Sequence, residues 1–187
     1  MDFLEALKAG VNRENPDVEW LVPLLEAGAA EEPHLFDSAD GLRAKTMGGA
    51  VHLRGLIEFS NYCRKNCRYC GLRRENHKLA RYRLTRQEMM EAAVHAERIG
   101  YKTVVLQSGE DLHFSAGSMA DIIREIKSRT ELAITLSLGE RDKATYSMWR
   151  KAGADRYLLR IETTDRAIFE SLHPDDDLAK ESAAFWY

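Results

Sequence analysis

The sequence predicts an α/β fold, a partial (β/α) barrel of about four βα units that follows an N-terminal helical extension. Short apolar runs with the length of buried strands occur at 51–59, 103–107, 132–138 and 155–161. They alternate with segments whose apolar residues recur at three- and four-residue spacing, at 85–99, 116–129, 141–152 and 165–172. Strands that alternate with helices indicate right-handed crossovers and therefore a parallel sheet.

Local signals mark the ends of these predicted helices. Thr85 and Glu88 form a capping-box pattern, in which the two side chains satisfy backbone N–H groups of the first helical turn. Gly100 and Gly153 stand just beyond two helical segments, at the position that favours a left-handed backbone. These residues therefore support the boundaries that the apolar spacing indicates.

The chain before the first strand is expected to be helical. Apolar residues recur at helical spacing before Gly10, and a second segment has Pro16 in its first turn and Pro23 inside it. A third helix is predicted from near Glu31 to the glycine pair that begins at Gly48. We therefore divide the chain into a helical extension, a half-barrel and a short tail, at 1–50, 51–176 and 177–187.

Composition narrows the class of protein. The 187 residues include 27 Lys and Arg against 30 Asp and Glu, a formal net charge of −3, and 44% are hydrophobic. This is ordinary for a folded protein, and the near-neutral charge disfavours a dedicated nucleic-acid binder. There is no run of about 20 uncharged apolar residues and no signal-peptide pattern. We expect no nucleic-acid or membrane partner and a cytoplasmic location.

The three cysteines, Cys63, Cys67 and Cys70, lie within eight residues directly after the first predicted strand. An odd and tightly spaced set is a poor disulfide framework, and the carboxyl end of a parallel strand is where sites form. Three thiolates can hold three corners of a four-iron cluster and leave the fourth iron open to a ligand. A closed zinc site with His77 as the fourth ligand is the alternative.

The cysteines follow the pattern C-x3-C-x-aromatic-C, with Tyr69 at the aromatic position. This pattern resembles the cysteine motif of the radical S-adenosylmethionine (SAM) superfamily. Further segments, 57–74, 81–85, 107–111 and 155–160, are similar to the HydE family of [FeFe]-hydrogenase maturases, which is related to biotin synthase and methylornithine synthase. The resemblance covers roughly 51–176. That family's barrel continues past the fourth strand, so the resemblance implies only the N-terminal half of a barrel, and 177–187 is unlike the family.

The resemblance implies a [4Fe–4S] cluster ligated by the three cysteines, with SAM bound to the open iron. One electron from the cluster would then split SAM into methionine and a 5′-deoxyadenosyl radical. Tyr69 would lie near the adenine, and the segment Gln107, Ser108, Gly109 and Glu110 would face the SAM amino group. A carboxylate suits an ammonium group, and glycine allows the backbone to approach closely.

The resemblance also implies that Arg160 and Glu162, after the fourth strand, complete the SAM site. A structural ion pair between these two residues is the alternative, since opposite charges after an apolar strand need a partner or a ligand. Ile161 departs from the histidine of the family pattern. The remaining histidines, His173 among them, are expected at surface or satisfied core positions.

The predicted function is therefore that of a radical SAM enzyme, or a truncated form of one, in the maturation of the [FeFe]-hydrogenase active site. By resemblance, its substrate would be a small molecule or an organometallic precursor, and its electron donor a carrier such as a ferredoxin or flavodoxin. A biotin-synthase-like or methylornithine-synthase-like reaction is one alternative, and a non-catalytic metal-binding module is another. Because four strands do not close a barrel, self-association through the open edge is also expected.

Overall fold

The computed structural model describes residues 2–10 and 17–176. The chain divides into two compact units, Met1–His52 and Leu53–Tyr187. Pro16 and the predicted tail at 177–187 lie outside the described residues. In the described part of the chain, no helix is both long enough and apolar enough to cross a membrane.

The first unit contains three helices, α1 (Phe3–Gly10), α2 (Val18–Leu25) and α3 (Glu32–Met47). Asp17 caps α2 by accepting a hydrogen bond of 3.1 Å from the Trp20 backbone N–H, and Pro23 lies within the helix. α1 and α2 pack together and bury Phe3 and Trp20, whereas α3 buries none of its described side chains.

The second unit is built on a four-stranded parallel sheet with the order β1-β2-β3-β4. The strands are β1 (Gly55–Ser60), β2 (Thr103–Ser108), β3 (Ala133–Ser137) and β4 (Arg156–Tyr157). Each strand pairs with the next strand along the chain. This arrangement confirms the predicted partial (β/α) barrel.

Four helices follow these strands: α4 (Arg86–Arg98), α5 (Ala116–Arg129), α6 (Lys143–Ala152) and α7 (Arg166–Leu172). The capping box of Thr85 and Glu88 is formed, and Gly153 ends α6 with a left-handed φ of 115°. The main core lies between the sheet and α4 to α6, and it includes Phe59, Met89 and Trp149. The other face of the sheet is open at β1, where Leu56 is 56% exposed.

The first and last strands are shorter than the sequence predicts. Residues 51–54 lie outside β1, and β4 ends at Tyr157 although the apolar run continues to Ile161. Among the strands of the described residues, β4 pairs with β3 alone, so no second strand holds the residues beyond Tyr157 in a ladder. Apolar composition predicted a buried strand, but Leu158 is 40% exposed and Ile161 is 47% exposed.

Candidate functional site

The cysteine loop begins directly after β1 and is held by side chains that bind its backbone. The Arg81 guanidinium donates to the carbonyls of Asn61, Leu72 and Arg73, the last at 2.7 Å. The Asn61 amide closes the same loop by binding the Ala80 carbonyl at 2.8 Å. Because these donors satisfy carbonyls from separate parts of the loop, they fix its path without using secondary structure.

The three cysteines are free thiols at half-buried positions. Burial, followed by the neighbouring Cys63 and Cys70, raises the pKa of the Cys67 thiol to about 11. The Cys67 thiol is therefore protonated near pH 7, and metal binding at this sulfur must release that proton.

The spacing of the sulfur atoms distinguishes between the two predicted metal sites. In the described ranges, only one group of three or more candidate ligand atoms lies within 4.8 Å of one another. That group contains Cys67 but not Cys63, Cys70 or His77. A single tetrahedral zinc ion would hold its sulfur ligands about 3.8 Å apart. A four-iron cluster binds each thiolate to a different iron, so its ligands lie farther apart. The geometry favours the cluster over a closed site with three cysteines and His77.

Gly109 lets the end of β2 pass directly against the cysteine loop. A Cβ atom at this position would overlap the backbone oxygen of Tyr62 and would lie 2.8 Å from the Cys63 Cβ. The Glu110 backbone N–H, one residue later, lies 3.3 Å from the Cys63 sulfur. The close approach that the sequence assigned to this glycine is therefore present, although its direct neighbour is the cysteine loop.

Glu110 is a buried carboxylate among cations. Its Oε2 accepts a 2.9 Å hydrogen bond from Arg64 Nε and lies 3.7 Å from Lys65 Nζ, while Oε1 lies 3.6 Å from Arg141 Nη1. Among the described groups, Oε1 has no hydrogen-bond partner. A buried oxygen of this kind is expected to meet a ligand or water. The sequence predicted Glu110 as a site residue, but not its contacts with Lys65 and Arg141, which depend on tertiary structure.

The end of α7 covers the cysteine loop and contributes a histidine that the sequence did not predict. The His173 ring stacks on Phe169 at 4.4 Å between centroids, and its Nδ1 lies 3.5 Å from the Cys67 sulfur. Its buried Nε2 has no partner in the part of the chain that the structure describes. The expectation that His173 is a surface or satisfied core residue is therefore wrong.

Burial lowers the pKa of His173, which keeps the ring neutral near pH 7. Since 106 residues separate it from Cys67, no local sequence spacing could reveal the contact.

Arg160 and Glu162 bind different partners in the structure. Arg160 donates to the Gln107 side chain at 3.3 Å, and the Tyr69 hydroxyl donates to Glu162 at 3.3 Å. Both charged residues are exposed, so the energetic argument for a buried ion pair does not apply. The pattern connects the loop after β4 with the end of β2 and with the cysteine loop.

All ten residues predicted for the site line one cavity of about 180 Å³. They are Cys63, Cys67, Tyr69, Cys70, Gln107, Ser108, Gly109, Glu110, Arg160 and Glu162. A larger cavity of about 630 Å³ lies between α6 and β4, and its walls include Tyr146, Trp149 and Tyr157. The smaller cavity is the stronger candidate because it brings together the three thiols and the Glu110 oxygen that has no hydrogen bond among the described groups.

The family profile of the radical SAM superfamily matches residues 57–179, which include the whole cysteine motif. The chain belongs to the radical SAM superfamily. This confirms the resemblance drawn from the cysteine spacing. Radical SAM proteins are enzymes that bind a [4Fe–4S] cluster and SAM, and small-molecule substrates are consistent with this family.

Known proteins are similar to the chain at different levels of sequence identity. It is 52% identical over 141 residues to the [FeFe] hydrogenase maturase subunit HydE of Thermotoga maritima, covering 75% of this chain and 40% of the relative. It is 29% identical over 172 residues to 3-methylornithine synthase of Methanosarcina acetivorans, covering 91% and 48%. The chain thus spans less than half the length of these relatives.

The crystal structure of HydG, a maturase of the [FeFe]-hydrogenase, matches with a TM-score of 0.89 and 25% identity, over 98% of this chain and 42% of that one.

The residues present fit the groups that this superfamily binds. The three cysteine sulfur atoms do not all lie within 4.8 Å of one another, and Gly109 lets the backbone after β2 lie against the cysteine loop. Glu110 keeps one buried oxygen without a hydrogen bond in the described structure. These observations suit a cluster on the cysteine loop with a polar ligand beside it.

Proposed function

We propose that the chain contributes the cluster and SAM site of a HydE-type radical SAM enzyme that acts in [FeFe]-hydrogenase maturation. The observation that carries the proposal is the convergence of all ten predicted residues on one cavity. The 52% identity to HydE supports the HydE type over the methylornithine synthase type, for which the identity is 29%. A small organometallic precursor is the proposed substrate class.

In this proposal, Cys63, Cys67 and Cys70 hold the cluster. A cluster held by these thiols would supply one electron for the cleavage of bound SAM to methionine and a 5′-deoxyadenosyl radical. The residues of the chain bind the cluster and orient SAM beside it. Arg81 fixes the loop that carries the thiols, and Gly109 keeps the end of β2 against that loop.

Glu110 is assigned to the SAM ammonium group. Arg64 and Lys65 contact Oε2 and fix the position of the carboxylate, while Oε1 has no hydrogen bond among the described groups and can accept one from the ligand. Ser108, one residue before the glycine, lines the same wall of the cavity. In this proposal, the Glu110 carboxylate and the backbone around Gly109 face the ligand from the side of the cavity that β2 forms.

Tyr69 is assigned to the adenine, and Gln107, Arg160 and Glu162 are assigned to the remaining polar groups of SAM. The contact between Tyr69 and Glu162 and the contact between Arg160 and Gln107 hold these side chains at the cavity before a ligand enters. Preorganised polar groups lose less conformational entropy on binding.

We also propose an acidic electron carrier, such as a ferredoxin or flavodoxin, as the donor. The cysteine loop exposes Arg64, Arg68 and Arg74, whose positive charge suits an acidic partner. A thiolate-ligated cluster needs reduced cysteines, which supports a cytoplasmic location. Self-association through the β4 edge is the remaining proposed partner interaction.

Anaerobic reconstitution with iron and sulfide tests the proposal. We expect a brown, reducible protein with about four iron and four sulfide per chain, which binds SAM and releases 5′-deoxyadenosine under reducing conditions. A colourless zinc protein would instead support the non-catalytic module. A cluster that forms but never yields 5′-deoxyadenosine, even with an added electron carrier, would contradict the enzymatic assignment.

A further inference from the structure

Three different donor atoms meet beside the cysteine loop, and only one of them, the Cys67 sulfur, is a proposed cluster ligand. Cys67 Sγ, His173 Nδ1 and Asp176 Oδ2 all lie within 4.8 Å of one another. The His173 nitrogen is 3.5 Å from the sulfur and 3.7 Å from the carboxylate oxygen. The side chains of His173 and Asp176 are only 6% and 7% exposed. A thiol, an imidazole and a carboxylate therefore meet in a largely buried place.

The spacing is close to that of a tetrahedral zinc site. Zinc bonds of about 2.3 Å to sulfur and about 2.0–2.1 Å to nitrogen place those two ligand atoms roughly 3.5 Å apart. Bonds of about 2.0–2.2 Å to oxygen place nitrogen and oxygen roughly 3.4 Å apart. The observed 3.5 Å matches the first value, and the observed 3.7 Å needs a movement of a few tenths of an ångström.

A hydrogen-bond network explains this arrangement less well. One ring nitrogen, Nδ1, faces both the sulfur and the carboxylate, but it has only one proton or one lone pair to offer. A Cys-His-Asp catalytic relay would instead place the two partners on opposite ring nitrogens. A metal ion can contact all three donor atoms at once, with water in the fourth position.

The surroundings hold the ring in place for such a role. Phe169 stacks on the His173 ring with an interplanar angle of 8°, and Tyr69 contacts it edge-on at 5.3 Å. The Arg68 backbone N–H binds the Leu172 carbonyl at 2.9 Å, which joins the cysteine loop to the end of α7. Two of the three ligands are therefore fixed relative to each other by contacts outside the site.

Lys65 is the cation that now contacts Asp176. Its ammonium group also lies 3.7 Å from Glu110 Oε2, so a second carboxylate is within reach if a metal ion takes Asp176. The ammonium raises the energetic cost of binding a dication, and it predicts that replacement of Lys65 by Met tightens metal binding.

We propose that Cys67, His173 and Asp176 form a mononuclear zinc site in the cluster-free protein. Because Cys67 belongs to both ligand sets, occupation of this site and assembly of the cluster exclude each other. This second statement rests on the proposed function, whereas the zinc site itself does not.

The test removes the cluster site and keeps the zinc site. In a Cys63→Ser/Cys70→Ser double variant, titration with Co²⁺ is expected to give one equivalent of bound metal with thiolate-to-cobalt absorbance, which Zn²⁺ then displaces. Loss of an outer-shell partner commonly lowers metal affinity 10- to 100-fold, so loss of a ligand should lower it about 100-fold or more. We expect that loss for His173→Ala and for Asp176→Asn in this background.

The matched control is His77→Ala, which removes an exposed histidine and should leave cobalt affinity unchanged. Asp176→Asn preserves the shape of the side chain, so it tests the site even if His173→Ala fails to fold. Absence of thiolate-to-cobalt absorbance in the double variant, or equal affinity in Asp176→Asn, would overturn the proposal. Loss of binding in His77→Ala would do the same.

Competition is measured with the parent chain. One equivalent of Zn²⁺ added before reconstitution should lower the iron and sulfide content, and Asp176→Asn should resist this effect. If the parent assembles no cluster even without zinc, the proposed function fails while the cobalt result still decides the zinc site. Equal zinc inhibition in the parent and in Asp176→Asn would show that the two sites do not compete through this group.

Discussion

Arg83 and Asp111 form a bidentate ion pair, with Nε 2.6 Å from Oδ2 and Nη2 3.0 Å from Oδ1. Asp111 also accepts a hydrogen bond of 2.6 Å from the Ser60 hydroxyl. Ser60 ends β1, and Asp111 follows Glu110 in the loop after β2. The pair therefore ties together the two strand ends from which the cysteine loop and the Glu110 loop begin.

Asp111→Asn should destabilise the fold at neutral pH and lose this effect in acid. Burial opposes ionisation, but hydrogen bonds from Arg83 and Ser60 outweigh it and lower the pKa of Asp111 from 3.8 to about 2. Because the folded pKa lies below the unfolded value, the stabilisation is present above about pH 4 and declines as the pH falls toward 2. The shift corresponds to about 2 kcal/mol, of which about 1 kcal/mol should be lost by pH 3.

Urea unfolding of parent and variant at pH 7, 5 and 3 measures this difference. Asp121→Asn is the control, since Asp121 forms an exposed pair with Arg124 and should change stability by less than about 1 kcal/mol. A difference between parent and Asp111→Asn that is constant from pH 7 to pH 3 would contradict the assigned role of the charge.

Replacing any one of Cys63, Cys67 or Cys70 by Ser should abolish the cluster. Three thiolates already leave one iron without a protein ligand, and a hydroxyl is a poor ligand for an iron–sulfur cluster. Iron, sulfide and visible absorbance after reconstitution are the measurements. Undiminished iron and sulfide in Cys67→Ser would remove the basis of the cluster assignment.

Gly109→Ala should impair cluster retention because the added methyl group would overlap the Tyr62 backbone oxygen. Backbone cannot move aside as a flexible side chain can, so the end of β2 or the cysteine loop must shift. Gly71→Ala is a matched control, because a Cβ there meets no atom within 4 Å in the described structure. The half-time of cluster loss to a chelator is the measurement, and equal half-times for the two variants would contradict the proposed role of the close approach at Gly109.

The fold could be predicted from the sequence because its signals are local. The capping box at Thr85, the glycine at 153 and the apolar periods of the helices each depend on neighbours within a few residues. The length of β4 could not be predicted in this way, because it depends on whether a second strand pairs with β4 on the side opposite to β3. The apolar run to Ile161 shows only that this segment can be buried.

The candidate site likewise contains residues that local sequence predicts and residues that only tertiary structure brings there. The cysteines and the segment around Gly109 have distinctive spacing, and therefore could be found from sequence. Lys65 lies inside the cysteine motif, but its contact with Glu110 depends on the fold. Arg141 and His173 join the site through tertiary contacts, and both residue types are common on protein surfaces. Nothing in their immediate sequence separates them from solvated residues, and only the fold brings them to the cavity.

Glu110→Gln should weaken SAM binding more than it weakens cluster assembly. A lost charge-assisted hydrogen bond commonly costs about 1.5–3 kcal/mol, which is roughly a 10- to 100-fold loss of affinity. Calorimetric titration of the cluster-loaded protein with SAM measures it, with Glu131→Gln as a control at an exposed position outside the cavity. Equal SAM affinity in parent and Glu110→Gln would contradict the assignment of Glu110 to the ammonium group.

The isolated chain should associate with itself through the β4 side of the sheet. β4 is an edge strand of two residues, and the segment after it exposes Leu158 and Ile161. The cavity beside it has aromatic walls, so an apolar surface and a strand edge lie next to each other. Exposed edges of this kind tend to pair with another chain, and a charge placed on the edge opposes that pairing.

Light scattering across a dilution series should therefore show a concentration-dependent rise in mass, and Leu158→Lys should reduce it. Leu112→Lys is the control, since Leu112 is a leucine of 63% exposure in the loop after β2 and away from the β4 edge. Association that Leu112→Lys lowers as much as Leu158→Lys does would indicate nonspecific aggregation. A monodisperse monomer that unfolds cooperatively, with the amides around β4 protected from hydrogen exchange, would show that the open edge is stable in water without a partner.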